Sequence, residues 1–131
     1  MIFVDTNVFM YAVGRPHTFK RPARDFFIEA QQSRMPLCTS AEVLQELAHA
    51  YLAAGRSRVF DAALALMSSF GVEVWPLEEA DVELARRLHE LHPTLQARDL
   101  CHMASCRRRG VREMKTFDQA LAAVFPSSSS P

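Results

Sequence analysis

Ile2-Phe3-Val4-Asp5-Thr6-Asn7-Val8 decides how this chain reads. Three apolar, β-prone residues stand together without a polar alternate. That is the signature of a short strand buried on both faces, the kind a parallel sheet contains. Asp5-Thr6-Asn7 ends the run with side chains that favour turns and helix caps. The apolar stretch from Met1 to Val13 lacks a basic leading region and is broken by Asp5, so it reads as a first strand and not as a secretory signal.

Outward from that strand, short strands and helices alternate. Residues 18–33 predict a helix with Pro22 in its first turn and Phe26, Phe27 and Ala30 on the buried face. Met35-Pro36-Leu37-Cys38-Thr39 is a second strand, and Ser40 is a suitable N-cap for a helix to about Ala54, closed by Gly55. Residues 57–70 form another amphipathic helix ending at Gly71. Val72-Glu73-Val74-Trp75 is a third strand, stopped by Pro76, and a charged helix spans 78–91 before Pro93. A helix carries Leu100-Cys101-His102-Met103-Ala104 to Gly110. A weak, polar strand over about 112–115 then leads into Thr116-Phe117-Asp118 and a last helix over 118–124. This pattern predicts an α/β domain with a central parallel sheet over residues 1–125, followed by a disordered serine-rich tail, 126–131.

Composition narrows the function. The 131 residues suit one domain, and 49% hydrophobic content supports a real core. Fifteen basic residues balance fifteen acidic ones, which argues against coating nucleic acid by bulk charge. Cys38, Cys101 and Cys106 are odd in number and sit among apolar neighbours, which predicts reduced thiols and a cytoplasmic protein. Nothing approaches the run of about eighteen apolar residues that a membrane helix needs.

In parallel sheets, function gathers at the carboxyl ends of the strands. Asp5 and Asp118 each follow a strand, Asp99 opens a helix, and Glu46 lies in Val43-Leu44-Gln45-Glu46-Leu47 among apolar neighbours. Each acid has an ordinary use as a cap or a helix-dipole partner. Glu42, four residues before Glu46, shares its helix face and competes for its role. Taken together, the acids have a chemical meaning. Two carboxylates about 4 Å apart repel by about 4 kcal/mol at an effective dielectric near 20. A group of them is therefore at ease with a hard cation such as Mg²⁺ or Mn²⁺, which can activate water and neutralise a phosphodiester.

At these blocks the chain resembles the PIN domain family, and within it the VapC-type toxins of toxin–antitoxin pairs. Ile2 to Val8 is similar to the family's opening strand and first acid. Thr39-Ser40-Ala41-Glu42-Val43-Leu44-Gln45-Glu46-Leu47 resembles its second block, with the glutamate falling on Glu46. Ala97-Arg98-Asp99-Leu100-Cys101-His102-Met103-Ala104 resembles the third and Thr116-Phe117-Asp118 the fourth. The resemblance covers about residues 1–125. It implies an α/β/α sandwich with strand order 3-2-1-4-5 and a Mg²⁺- or Mn²⁺-dependent endoribonuclease. Asp5, Glu46, Asp99 and Asp118 would be the catalytic and metal-binding residues. It further implies an RNA substrate, a homodimer, and inhibition by a small VapB-type antitoxin.

Thr6, Asn7, Ser40 and Thr116 match positions that support the acids, and Arg98 is a candidate for substrate contact. The Arg107-Arg108-Arg109 run with Arg112, and the region of Arg15, Lys20, Arg21 and Arg24, are possible RNA-binding rims. The first of these also complements a helix C-terminus. His102 lies close enough to Asp99 to approach the acids, though the favoured reading is a core or surface histidine, and no zinc-finger spacing is present. A haloacid-dehalogenase-type phosphatase would need an aspartate where Asn7 stands. A PIN nuclease of RNA processing and an inactive PIN binding module are the remaining alternatives.

Overall fold

The computed structural model describes residues 1–125. The serine-rich tail expected over 126–131 lies outside the described residues. Four strands alternate with seven helices among them. β1 (Ile2–Val4) leads into α1 (Thr6–Val13) and α2 (Lys20–Gln32); β2 (Leu37–Ser40) leads into α3 (Ala41–Tyr51) and α4 (Ser57–Ser69). β3 (Glu73–Trp75) precedes α5 (Glu79–Leu88) and α6 (Ala97–Arg108). β4 (Glu113–Lys115) and α7 (Gln119–Val124) close the order.

All pairings are parallel, and the sheet runs β3-β2-β1-β4. This is the expected order 3-2-1-4, with no fifth strand among the described residues. β1 is central: Phe3 pairs with Cys38 on one side and with Met114 on the other. Its burial on both faces follows from that position, and Phe3 and Val4 are fully buried. The polar residues of β4 are explained by its place at the sheet edge, where one flank faces solvent. Lys115 also lays its ammonium over Phe117 and Phe26, 5.0 and 5.8 Å from the ring centres.

α1 is a helix that the apolar run from Met1 to Val13 does not announce. Asp5 caps it, accepting from Thr6 N at 2.8 Å. Val8, Phe9 and Ala12 form its buried stripe. It stops at Gly14, where a β-carbon would sit 2.6 Å from the Met10 carbonyl oxygen. Lys20 and Arg24 of α2 then donate to the Gly14 and Ala12 carbonyls, at 2.7 and 3.0 Å. These two cations are therefore occupied at a helix end, whereas Arg15 and Arg21 remain exposed.

The main core joins Phe3, Val8, Phe9, Phe27, Val43 and Leu47, drawing on β1, α1, α2 and α3. A smaller cluster, with Leu88, Leu100, Met103 and Leu121, joins α5, α6 and α7. Fully buried Asp81 lies at the α5–α6 junction, and Arg108 and Arg109 reach it at 2.7 and 3.1 Å. Arg109 also pairs with Glu78 at 2.8 Å and stacks 4.8 Å from the Trp75 ring centre. The arginine run thus serves packing through two of its members and is not an open RNA rim at those positions. All three cysteines are buried and free. No helix among the described residues is long and apolar enough to cross a membrane.

Candidate active site

The chain leaves β1 with Asp5, whose backbone N–H donates to the Lys115 carbonyl of β4 at 3.0 Å. The side chain is buried and bonded at both oxygens. Oδ1 accepts from Thr6 N, while Oδ2 accepts from the Thr116 hydroxyl at 2.7 Å and from Asn7 Nδ2 at 3.3 Å. Asn7 also donates to Thr116 at 3.2 Å and accepts from Phe117 N at 3.0 Å. The Thr116 hydroxyl in turn accepts from Asp118 N at 3.0 Å. These bonds stitch the end of β1 to the end of β4, and a carboxylate held by several donors stays in one rotamer.

Glu46 projects from α3 at the margin of the face that buries Val43 and Leu47. Its Oε2 accepts from the Thr6 hydroxyl at 2.7 Å, its Oε1 lies 3.1 Å from His102 Nε2, and Arg98 Nε stands 3.9 Å away. Burial pushes its pKa up, but the bonds from His102 and Thr6 and the nearby charges outweigh that and leave it below the ordinary range. Glu42, the rival on the same helix, does not line this pocket.

Asp99 occupies the first turn of α6. Burial raises its pKa to about 6, with the negative charges of Asp5 and Asp118 adding to the effect. Asp118 is exposed and caps α7, accepting from Ala120 N and Leu121 N at 2.9 and 3.2 Å. It also lines the pocket, so it serves as a cap and as a wall of the site at once. Asp5, Glu46, Asp99 and Asp118 face one cavity of about 270 Å³, together with Thr6, Asn7, Met10, Ala50 and Arg98.

One residue stands differently from its sequence reading. Ser40 is buried at the α3 N-cap position, but its hydroxyl makes no capping bond and has no partner among the described residues. Its backbone has the extended conformation usual for an N-cap, yet its hydroxyl bonds neither to α3 nor to any of the four acids. His102 is both of the things its position allows, a buried core histidine and a neighbour of the acids. Its Nε2 reaches Glu46 and lies 3.7 Å from Asp5 Oδ1. Burial lowers its pKa, but the bond to Glu46 and the charges of Asp5, Glu46 and Asp99 raise it overall. The signal that finds it is spacing, since a residue three after Asp99 shares its helix face.

Asp5, Asp99 and His102 bring potential ligand atoms within 4.8 Å of one another. The carboxylate oxygens among them are hard donors that fit a small divalent cation.

The family model for the PIN domain matches residues 2–124. Ribonuclease VapC23 of Mycobacterium tuberculosis is 54% identical over 127 residues, covering 97% of this chain and 100% of that one. Ribonuclease VapC13 of the same organism is 37% identical over 119 residues, covering 91% of each. The crystal structure of Mycobacterium tuberculosis VapC20, described as a toxin that cleaves the sarcin–ricin loop, is similar with a TM-score of 0.82. It is 22% identical and covers all of both chains, a likeness of fold.

Proposed function

The chain belongs to the PIN domain family, and from that premise we propose that it is a toxin endoribonuclease of a VapB–VapC pair, hydrolysing RNA phosphodiesters with a cation-activated water. The observation that carries the reading is the convergence of Asp5, Glu46, Asp99 and Asp118, drawn from four separate segments, on one pocket. Its likeness to ribonucleases VapC23 and VapC13 supports the same activity.

Asp5, Asp99 and Asp118 are the residues proposed to hold Mg²⁺ or Mn²⁺. Such an ion, when bound, neutralises phosphate charge and acidifies a water. The chain's own residues prepare for this in distinct ways. Thr116 and Asn7 fix the Asp5 carboxylate, and Thr6 fixes Glu46. Glu46, kept ionised by its donors, is a ready acceptor for a proton from water. Arg98, half exposed in the pocket lining and 3.9 Å from Glu46, is the cation placed to meet a phosphate there. The expected partners are RNA, a VapB-type antitoxin and a second copy of the chain, in the cytoplasm.

The test is cleavage of a labelled RNA hairpin with Mg²⁺ or Mn²⁺. Activity is expected to vanish with chelator and to fall at least about a hundredfold in Asp5→Asn and Asp99→Asn. Cleavage that persists in chelator, or in either variant, would refute the reading. Size-exclusion with light scattering checks the homodimer.

A further inference from the structure

His102 is 1% exposed and sits on α6 with its Nε2 turned into the acidic pocket. That nitrogen faces Glu46 Oε1 at 3.1 Å and Asp5 Oδ1 at 3.7 Å. Ionised carboxylates only accept hydrogen bonds, so Nε2 carries the hydrogen and donates to Glu46. The Thr6 hydroxyl donates to the other oxygen of the same carboxylate at 2.7 Å. Both oxygens of Glu46 are therefore gripped, one from α1 and one from α6. A nitrogen committed as a donor offers no lone pair to a cation, although its position beside Asp5 and Asp99 resembles that of a ligand.

The other ring nitrogen argues that this is more than packing. Nδ1 is buried with no partner among the described residues. A leucine at the same place would carry no such cost. The Phe3 ring, 5.3 Å away between centres, fixes the imidazole plane from the sheet side. What distinguishes histidine here is the bond at Nε2.

We propose that His102 is a positioning residue: its Nε2–H, together with the Thr6 hydroxyl, locks the Glu46 carboxylate in the rotamer that faces the pocket, so that Glu46 serves as a fixed acceptor for the attacking water. Unbraced, a glutamate retains several rotatable torsions and spends only part of its time aimed at the pocket. The role rests on the ribonuclease reading above, and its test separates the two.

The first arm needs no RNA. Long-range ¹H–¹⁵N NMR of the metal-free protein is expected to show His102 with Nε2 protonated and Nε2–H slow to exchange. Saturating Mg²⁺ leaves that signal in place, and Glu46→Gln moves it upfield. An unprotonated Nε2, or a proton lost when Mg²⁺ binds, overturns the proposal; the latter would make His102 a metal ligand.

The second arm uses the labelled RNA hairpin with Mn²⁺ and calorimetry of Mn²⁺ alone. His102→Leu is expected to lower kcat about thirtyfold, with KM and Mn²⁺ affinity changed less than about threefold. His102→Gln, whose amide can still donate, is expected to recover most of that loss. In a Glu46→Gln background, His102→Leu changes kcat less than about twofold. An equal loss in both backgrounds overturns the proposal, because His102 would then act independently of Glu46. Should His102→Leu fail to fold, His102→Gln decides: near-native kcat supports the role, and a thirtyfold loss refutes it. A wild type that cleaves no RNA refutes the ribonuclease reading alone, since the NMR arm reads the His102–Glu46 bond directly.

Discussion

The Thr116 hydroxyl donates to Asp5 Oδ2 at 2.7 Å across 111 residues of sequence. No disulfide ties the described residues together, so this bond, the Asn7 bridge beside it and the Thr6 N–H set where Asp5 points. Thr116→Val keeps the shape and removes the donor. It is expected to cost about 1–2 kcal/mol in denaturant unfolding, and to lower RNA cleavage about tenfold as Asp5 loses its fixed rotamer. Thr116→Ser is expected to restore both.

Asp118 serves two purposes that one pair of substitutions can separate. Asp118→Asn keeps an oxygen for the N–H groups of Ala120 and Leu121. It is expected to hold stability within about 0.5 kcal/mol while cleavage falls with the lost charge. Asp118→Ala is expected to lose cleavage and, in addition, about 1 kcal/mol of stability. Chemical denaturation and RNA cleavage on the same samples check the split.

Asp99 is held near pKa 6 by burial and by the charges of Asp5 and Asp118. A carboxyl whose folded pKa is raised costs stability once ionised. In chelator, this site therefore destabilises the protein as pH rises from about 4 through 6, and favours it as pH falls. Asp99→Asn is expected to raise the metal-free melting temperature at pH 7.5 by a few degrees, reflecting roughly 1–2 kcal/mol, and to leave it nearly unchanged at pH 4.5. Mg²⁺ is expected to raise the wild-type melting temperature at pH 7.5, and to do so less at pH 5.5, where protons compete for Asp99.

Asp81 lies outside the site and tests the scaffold. Its pKa shift sets burial, which raises it, against the bonds from Glu78 N, Arg108 and Arg109, which win and hold it low. Asp81→Asn leaves Arg108 and Arg109 with only the more exposed Glu78 as counter-charge and is expected to cost about 1–3 kcal/mol at pH 7. A depressed carboxyl contributes its full stability above the ordinary value near 4 and loses it as pH falls through the folded value. The gap between variant and wild type therefore closes below pH 4. Cleavage at low temperature is expected to be unchanged.

Much of this arrangement is legible in the sequence because it depends on local pattern. Ile2-Phe3-Val4 reads as a buried strand because an uninterrupted apolar triplet suits few other places. Helix ends fell within a few residues because Gly71 and Pro93 mark them by backbone geometry alone. α1 escaped notice because its stripe of Val8, Phe9 and Ala12 follows so closely on the strand that the two merge into one apolar run. His102 is legible in part. Its spacing of three from Asp99 puts it on the same face of α6, but only the packing of α6 beside α3 brings it to Glu46. The choice between Glu42 and Glu46 is of the same kind: four residues apart on one helix, they part company only when Thr6 and His102 arrive from elsewhere.

β1 is the middle of the sheet, yet one of its neighbours, β4, enters the chain more than a hundred residues later. Until that strand docks, Asp5 lacks both the Lys115 carbonyl on its own N–H and the Thr116 hydroxyl on its carboxylate. Contacts so distant in sequence are among the slowest to close. The core contacts of Phe3 and Phe9 draw on β1, α1, α2 and α3, all encoded before residue 52, whereas the bracing of Asp5 waits for residues 115 and 116. On the proposed reading, the pocket that would meet RNA is thus the last part of the domain to be completed.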